Sequence, residues 1–116
     1  MEIYLYGSCS SCKKADNALR DSGKPYVRRD FFKERFSAAE LRSLLERAGL
    51  EVGVVLSTRS KAHTERRLAG MSLTDTQLLD LMVDEPTLLR RPIIIGGGKS
   101  LVGFNAAAID DLIGRT

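Results

Sequence analysis

The first thirty residues follow the patterns of a strand, a helix and a second strand. Residues Met1–Tyr6 alternate in polarity and are rich in β-forming residue types, which predicts a strand. In Cys12–Asp21 apolar residues recur at helical spacing, and Gly23 ends the predicted helix. Pro25–Arg29 is predicted to be the second strand. The segment therefore predicts a β-α-β unit with a tight turn between the first strand and the helix.

Two amphipathic helices are predicted in the middle of the chain. Ser37 begins the sequence Ser-Ala-Ala-Glu, a capping box, and leucines follow at helical spacing until Gly49. Thr74 opens the other helix, which is predicted to end near Asp84. The segment between them combines a short apolar run with a polar, basic stretch over residues 57–67. The middle of the chain is therefore predicted to be mainly helical.

The last part of the chain predicts a hairpin and a helix. Ile93–Ile95 is typical of a buried strand, Gly96–Gly98 of a tight turn, and Lys99–Val102 of the returning strand. Asn105 is predicted to cap a final helix over Ala106–Ile113. The order β-α-β, helices, β-β-α predicts one α/β domain over residues 1–116.

Composition indicates a globular protein of ordinary character. The chain has 116 residues, about one domain, of which 43% are hydrophobic and 28% charged, and this argues against a disordered chain. Its apolar runs are far shorter than the roughly 20 residues of a membrane span. A signal-peptide pattern is absent from the sequence. We therefore expect a cytoplasmic protein that does not contact a membrane.

The charge balance is mildly basic. The net charge of +3 permits contact with nucleic acid or an acidic partner but does not require it. The basic residues are not interleaved with aromatic ones, and the chain contains no tryptophan. Direct DNA binding is therefore not expected.

Two cysteines, Cys9 and Cys12, form a Cys-x-x-Cys motif. The loop between them is too short for a disulfide to stabilise the fold appreciably. A zinc site would need two further ligands, and the single histidine, His63, is distant in sequence and expected to be exposed, so no metal site is expected. The remaining interpretations are a redox-active thiol pair and two small buried hydrophobic residues. Spacing and position favour the redox pair.

The two cysteines are predicted to differ in reactivity. Cys9 falls at the N-terminus of the first helix, where the helix dipole favours an anion, and Lys13 adds positive charge. Both effects lower the pKa of Cys9. Cys12 lies inside the helix and is expected to be more buried. Cys9 is therefore predicted to be the attacking thiol and Cys12 the resolving one.

Two arginines are candidates for holding a charged group at this site. Arg91 precedes Pro92 at the start of a strand expected beside the first one, which would bring the proline against the cysteines; a cis peptide bond is compatible with this sequence. Arg91 can then stabilise a thiolate or a bound anion, or simply be solvated. Arg59 lies in the hydroxyl-rich, basic stretch Ser57–Lys61, which can hold an oxyanion or can be a solvated helix start.

Together these motifs resemble the Spx/arsenate reductase family, and its Spx branch most closely. The resemblance covers essentially the whole chain and is carried by four segments: Cys9-Ser-Ser-Cys12-Lys-Lys-Ala, Leu56-Ser-Thr-Arg-Ser-Lys61, Leu88-Leu-Arg-Arg-Pro-Ile-Ile-Ile95 and Val102-Gly-Phe-Asn105. It implies a thioredoxin-like α/β fold, with β-α-β and β-β-α halves and an all-helical insertion at about residues 37–88.

The resemblance implies two kinds of function. Arsenate reductases attack arsenate with one cysteine, hold it with three arginines and are recycled by glutathione and glutaredoxin. Cys9, Arg59 and Arg91 match three of these positions, but Gly103 stands near the third arginine, so efficient arsenate reduction is not expected. Spx-type proteins carry a Cys-x-x-Cys redox switch and bind the C-terminal domain of the RNA polymerase α subunit.

We therefore predict a redox-responsive transcriptional regulator that binds RNA polymerase α and needs no cofactor. The alternative is a thiol-disulfide oxidoreductase, either glutaredoxin-like or arsenate-reductase-like, with glutathione as its reductant. A small interaction domain with an inert thiol pair is the third interpretation.

Overall fold

A computed structural model describes residues 1–114, apart from the side chain of Ala69. The chain forms two compact units, one made of Met1–Glu34 with the chain from Arg91 onward, the other of Arg35–Arg90. No helix in the described part of the chain is long and apolar enough to cross a membrane. The assignment of residues 1–116 to a single domain stays a prediction, and residues 115–116 lie outside the described range.

The first unit is a four-stranded sheet with two helices. Its elements in chain order are β1 (Glu2–Leu5), α1 (Ser10–Asp21), β2 (Val27–Asp30), β3 (Ile93–Gly96), β4 (Lys99–Val102) and α5 (Ala106–Leu112). The strand order is β2-β1-β3-β4, with β1 and β2 parallel and the other neighbours antiparallel. The predicted β-α-β and β-β-α halves are therefore both present, and they share one sheet.

The core of the first unit lies between the sheet and its helices. Helix α1 buries residues spaced three and four apart because these share one face of a helix. They pack with apolar residues of β1, β3 and the C-terminal helix; the buried cluster is Ile3, Leu5, Cys12, Ala15, Leu19, Ile94, Ile109 and Ile113. One of the two cysteines is thus a core residue.

The second unit consists of helices and turns. It contains α2 (Ala38–Ala48), α3 (Lys61–Glu65) and α4 (Asp75–Asp84), with short 3₁₀ turns at Val52–Val55, Leu68–Gly70 and Pro86–Leu88. An isolated antiparallel bridge joins Leu56 to Leu89. Leucines of α2 and α4 supply much of the buried surface of this unit. The all-helical insertion in a thioredoxin-like fold is confirmed.

Local signals located the elements well, with small shifts at their ends. Helix α2 has the predicted capping box and ends at Gly49 in the left-handed region. Helix α1 begins at Ser10, two residues earlier than predicted, and β2 runs from Val27 to Asp30 rather than from Pro25 to Arg29. The hairpin strand β4 coincides with its predicted range.

His63 is buried, and the expectation that it is exposed was wrong. It lies in α3, whose outer face carries Lys61 and Glu65, an exposed pair 3.6 Å apart at i and i+4. Charged neighbours in the sequence do not show that a residue is exposed, because successive residues of a helix point in different directions. The short helix turns His63 away from the solvent face of its charged neighbours.

Candidate redox site

The two cysteines lie where β1 is followed by α1. Cys9 is the N-cap of α1, and its backbone N–H donates to the carbonyl of Tyr6 at 3.0 Å. Cys12 occupies the first helical turn, is fully buried, and packs in the core of the first unit, whereas Cys9 is half-buried. Both are free thiols. The prediction that Cys12 is the more buried of the two is confirmed.

The environment of Cys9 favours its thiolate. Burial raises the pKa of Cys9, but hydrogen bonds from the Ser11 side chain, from the backbone and side chain of Cys12 and from the Arg91 side chain outweigh it, and the pKa falls to about 7. The Cys9 Sγ lies 3.2 Å from the Ser11 Oγ. At neutral pH a large fraction of Cys9 is therefore ionised, which makes it the stronger nucleophile of the pair.

The environment of Cys12 has the opposite effect. Burial raises the pKa of the Cys12 thiol to about 12, and its proximity to Cys9 adds to the rise, although the backbone N–H of Tyr6 and the charge of Arg91 act against it. Cys12 is therefore a neutral thiol that can donate its proton toward the Cys9 thiolate. The roles of Cys9 as attacking and Cys12 as resolving thiol stay predictions.

Arg91 approaches the cysteines from the strand β3 side of the unit. Its peptide bond to Pro92 is cis, as the sequence allowed, and Pro92 is buried. The carbonyl of Pro92 accepts a hydrogen bond from the N–H of Gly103 at 2.8 Å. The nearby Arg91 side chain lowers the pKa of Cys9. The structure thus brings together three predicted site residues, Cys9, Cys12 and Arg91.

Lys13 and Arg59 are both exposed. Lys13 is exposed, and the main groups that lower the pKa of Cys9 are Ser11, Cys12 and Arg91 rather than Lys13. Arg59 is exposed and belongs to the second unit, in the turn before α3. Its neighbour Ser60 caps α3 by accepting from the N–H of Ala62, and the role of Arg59 in holding an oxyanion stays a prediction.

Three residues near the site carry no signal of their own in the sequence. Tyr6 and Phe32 stack with ring centroids 3.9 Å apart and an interplanar angle of 18°. The Asp30 carboxylate is buried and accepts from the backbone N–H groups of Gly7 and Phe32. Their positions could have indicated them, because all three lie at the C-terminal ends of β1 and β2. Side chains at the ends of adjacent parallel strands meet at one edge of the sheet.

The fold and the cysteines together define a class of protein. A β-α-β half with a Cys-x-x-Cys pair at the start of its helix, followed by a cis-proline and a β-β-α half, is a thioredoxin-like arrangement. The chain belongs to the ArsC family, whose family model matches residues 4–112. The resemblance inferred from the sequence motifs is therefore confirmed.

Relatives of known name cover nearly the whole chain. The global transcriptional regulator Spx of Listeria innocua is 35% identical over 113 residues, which span 97% of this chain and 86% of that protein. The global transcriptional regulator Spx 1 of Lactococcus lactis is 33% identical over 115 residues, spanning 99% of this chain and 90% of that protein. By sequence, this chain is thus similar to proteins named as transcriptional regulators.

Solved structures confirm the architecture. An arsenate reductase from Vibrio cholerae matches with a TM-score of 0.79 and 23% identity, over 100% of this chain and 98% of that one. At this identity the likeness shows the fold alone. The thioredoxin-like fold is therefore shared by relatives with different names, and the chemistry of this chain has to be argued from its own site.

Proposed function

We propose that the protein is a redox-responsive regulator in which Cys9 and Cys12 form a reversible disulfide that controls binding to the C-terminal domain of RNA polymerase α. The observation that carries the proposal is the asymmetry of the two thiols, one ionised near neutral pH and one buried and protonated beside it. The geometry behind this asymmetry is a half-buried Cys9 at the N-cap of α1 and a fully buried Cys12 in the first turn of the same helix. The names of the Spx relatives support the regulatory part of the proposal.

The oxidation proceeds in two steps with a hydroperoxide as oxidant. The Cys9 thiolate attacks the terminal peroxide oxygen, the O–O bond breaks, and Cys9 becomes a sulfenic acid as hydroxide or alkoxide leaves. The Cys12 sulfur then attacks the Cys9 sulfur; the S–O bond breaks, and the Cys12 proton leaves with the hydroxyl group as water. Two electrons pass from the thiol pair to the peroxide. A dithiol reductant reverses the change by thiol-disulfide exchange.

The partner part of the proposal follows from the resemblance to the Spx branch. The net charge of +3 is compatible with a protein partner and does not require DNA. In this scheme the disulfide changes the surroundings of α1 and Arg91, both of which lie in the first unit.

The test is capture of purified RNA polymerase α subunit by the immobilised protein, reduced or oxidised with mild peroxide. We expect the amount captured to differ between the two states. The matched control is Cys12→Ala, which cannot form the intramolecular disulfide and should capture equal amounts after both treatments. Equal capture by the two states of the unaltered protein, or no capture by either, would overturn the regulatory proposal.

A second candidate, a thiol-disulfide oxidoreductase, is favoured by one observation. A pKa of about 7 for Cys9 is in the range of the attacking cysteine of thioredoxin-type enzymes. Arsenate reduction is a weaker form of this candidate, since Gly103, with φ of 84°, offers no side chain to hold an oxyanion. A coupled assay with arsenate, glutathione and glutaredoxin tests it. Turnover of about 1 per second or more would establish an enzyme.

A further inference from the structure

An aromatic pair stands beside the candidate redox site. Tyr6 follows β1 and Phe32 follows β2, and their rings stack with centroids 3.9 Å apart. Because β1 and β2 are parallel neighbours, their C-terminal ends lie at the same edge of the sheet. The backbone of Tyr6 also contacts both cysteines, accepting from the N–H of Cys9 and facing the Cys12 sulfur with its own N–H. The ring pair is thus part of the surroundings of the thiols.

The Arg91 guanidinium lies beside this pair. Its central carbon is 5.4 Å from the ring centroid of Tyr6 and 5.4 Å from that of Phe32, within the range of a cation–π interaction. The Nε of Arg91 is buried and has no hydrogen-bond partner among the described residues. The guanidinium is therefore equally close to both rings, and its placement does not depend on a hydrogen bond from Nε.

Asp30 fixes the backbone on which the two rings stand. Its carboxylate accepts from the N–H of Gly7 at 3.0 Å and from the N–H of Phe32 at 2.9 Å. One buried carboxylate thus joins the loop after Tyr6 to the loop that carries Phe32. The approach at Gly7 is close, since a Cβ there would lie 3.0 Å from the Asp30 Oδ2. The spacing of the rings is therefore set by hydrogen bonds as well as by stacking.

We propose that the stacked rings of Tyr6 and Phe32, held by Asp30, position the Arg91 guanidinium toward the Cys9 sulfur. Arginine has a long, flexible side chain, and restricting it in advance removes an entropic cost from each interaction it makes. Tyr6 and Phe32 are then positioning residues that act through Arg91. The inference rests on the proposed role of Cys9 as the reactive thiol.

The test is Phe32→Leu, which removes the ring but keeps an apolar side chain of moderate size. The pH dependence of Cys9 alkylation, followed by peptide mass spectrometry, reports the thiolate fraction directly. We expect the alkylation rate at pH 7 to fall about threefold, as loss of a partly exposed cation–π contact implies. Phe32→Tyr keeps the ring and should restore the original rate.

Two control measurements show whether Phe32 acts on Cys9 through Arg91 or only supports the fold. Phe104→Leu makes the same chemical change at an exposed ring that lies 5.9 Å from the Lys14 Nζ, and it should leave the rate unchanged. In an Arg91→Ala background, Phe32→Leu should cause no further fall. An equal fall in that background, or no fall in the unaltered background, would overturn the proposal.

Tyr6→Leu provides the same test from the other ring if Phe32→Leu does not fold, as judged by circular dichroism. Polymerase capture is measured on the same variants. If the alkylation results hold while capture is independent of redox state, the positioning inference stands and the regulatory proposal fails. If capture depends on redox state but Phe32→Leu alkylates normally, the regulatory proposal stands and the positioning inference fails.

Discussion

The N-terminus of α1 differs sharply from those of α2 and α4. Helix α2 has a complete capping box between Ser37 and Glu40, and α4 has one between Thr74 and Gln77. Helix α1 is capped by Cys9, makes no side-chain capping hydrogen bond, and has no acidic residue in its first turn. In α2 and α4 a side-chain oxygen at the N-cap accepts a hydrogen bond from a backbone N–H of the first turn. In α1 the N-cap side chain ends in a sulfur.

This difference separates a stabilising helix end from a reactive one. The N–H of Cys12, at the third helical position, helps to lower the pKa of Cys9 although the thiol makes no regular capping bond. A capping oxygen in the same place would satisfy that N–H and remove part of the support for the anion. The thiolate therefore takes the place of the missing cap. The first N–H groups of α1 are thus available to a thiolate instead of being occupied by a capping oxygen.

The largest effect is expected from removing the resolving thiol. In Cys12→Ala, mild peroxide should no longer produce the intramolecular disulfide, because the Cys9 sulfenic acid has no neighbouring sulfur to attack it. Intact-mass measurement of the unaltered protein should show the loss of two hydrogen atoms, and of the variant a gain of oxygen. If both thiols of the unaltered protein stay free after peroxide treatment, the proposal that Cys9 is a reactive thiol is wrong.

Removing the cation beside the reactive end should have the next largest effect. We expect Arg91→Ala to raise the pKa of Cys9 by less than about one pH unit, since the thiolate loses a nearby cation that is one of several groups favouring it. Thiolate absorbance measured against pH in the Cys12→Ala background gives this value. The fold should survive, because the substitution removes a charged head group rather than core volume. An unchanged pKa would show that Arg91 does not act on Cys9.

Two substitutions test how much the N-caps contribute to stability, one that removes the cap of α2 and one that gives α1 a hydroxyl cap. Ser37→Ala should lower the free energy of unfolding by about 1 kcal/mol, because the N–H of Glu40 loses its acceptor. Cys9→Ser should raise it by up to about 1 kcal/mol, because a hydroxyl can cap α1 where the thiol does not. Urea denaturation of reduced protein measures both. A loss of stability in Cys9→Ser would mean that α1 is already adequately capped.

The pH dependence of stability is expected to be similarly modest. The thiolate of Cys9 is favoured more in the folded than in the unfolded chain, so stability should rise between about pH 7 and pH 9 and be lost as the pH falls through 7. We expect about 1 kcal/mol, less than the pKa difference alone implies, because Cys9 is half-exposed and screened by solvent. Denaturant titrations across this window measure it, and Cys9→Ala should show no such rise. Above pH 9 the buried Cys12 acts in the opposite direction.

The features that the sequence predicted correctly depend on residues close together in the chain. The capping box at Ser37, the glycine end of α2 and the β3–β4 hairpin are all decided within a few residues. The contrast between Cys9 and Cys12 belongs to the same group, because position along one helix determines which sulfur is buried. These interactions are local, and residue type and spacing suffice to predict them.

Tertiary structure alone decided the rest. Asp30 reaches Gly7 across 23 positions of sequence, and Arg91 meets Tyr6 and Phe32 only because β3 and β2 lie on either side of β1. His63 was misjudged for the same reason, since its burial depends on what packs against α3. Contacts between residues far apart in the chain depend on strand register and helix packing. The same local sequence pattern is compatible with more than one such arrangement. The sequence by itself determined where the thiols are and how they differ, and the fold determined which side chains surround them.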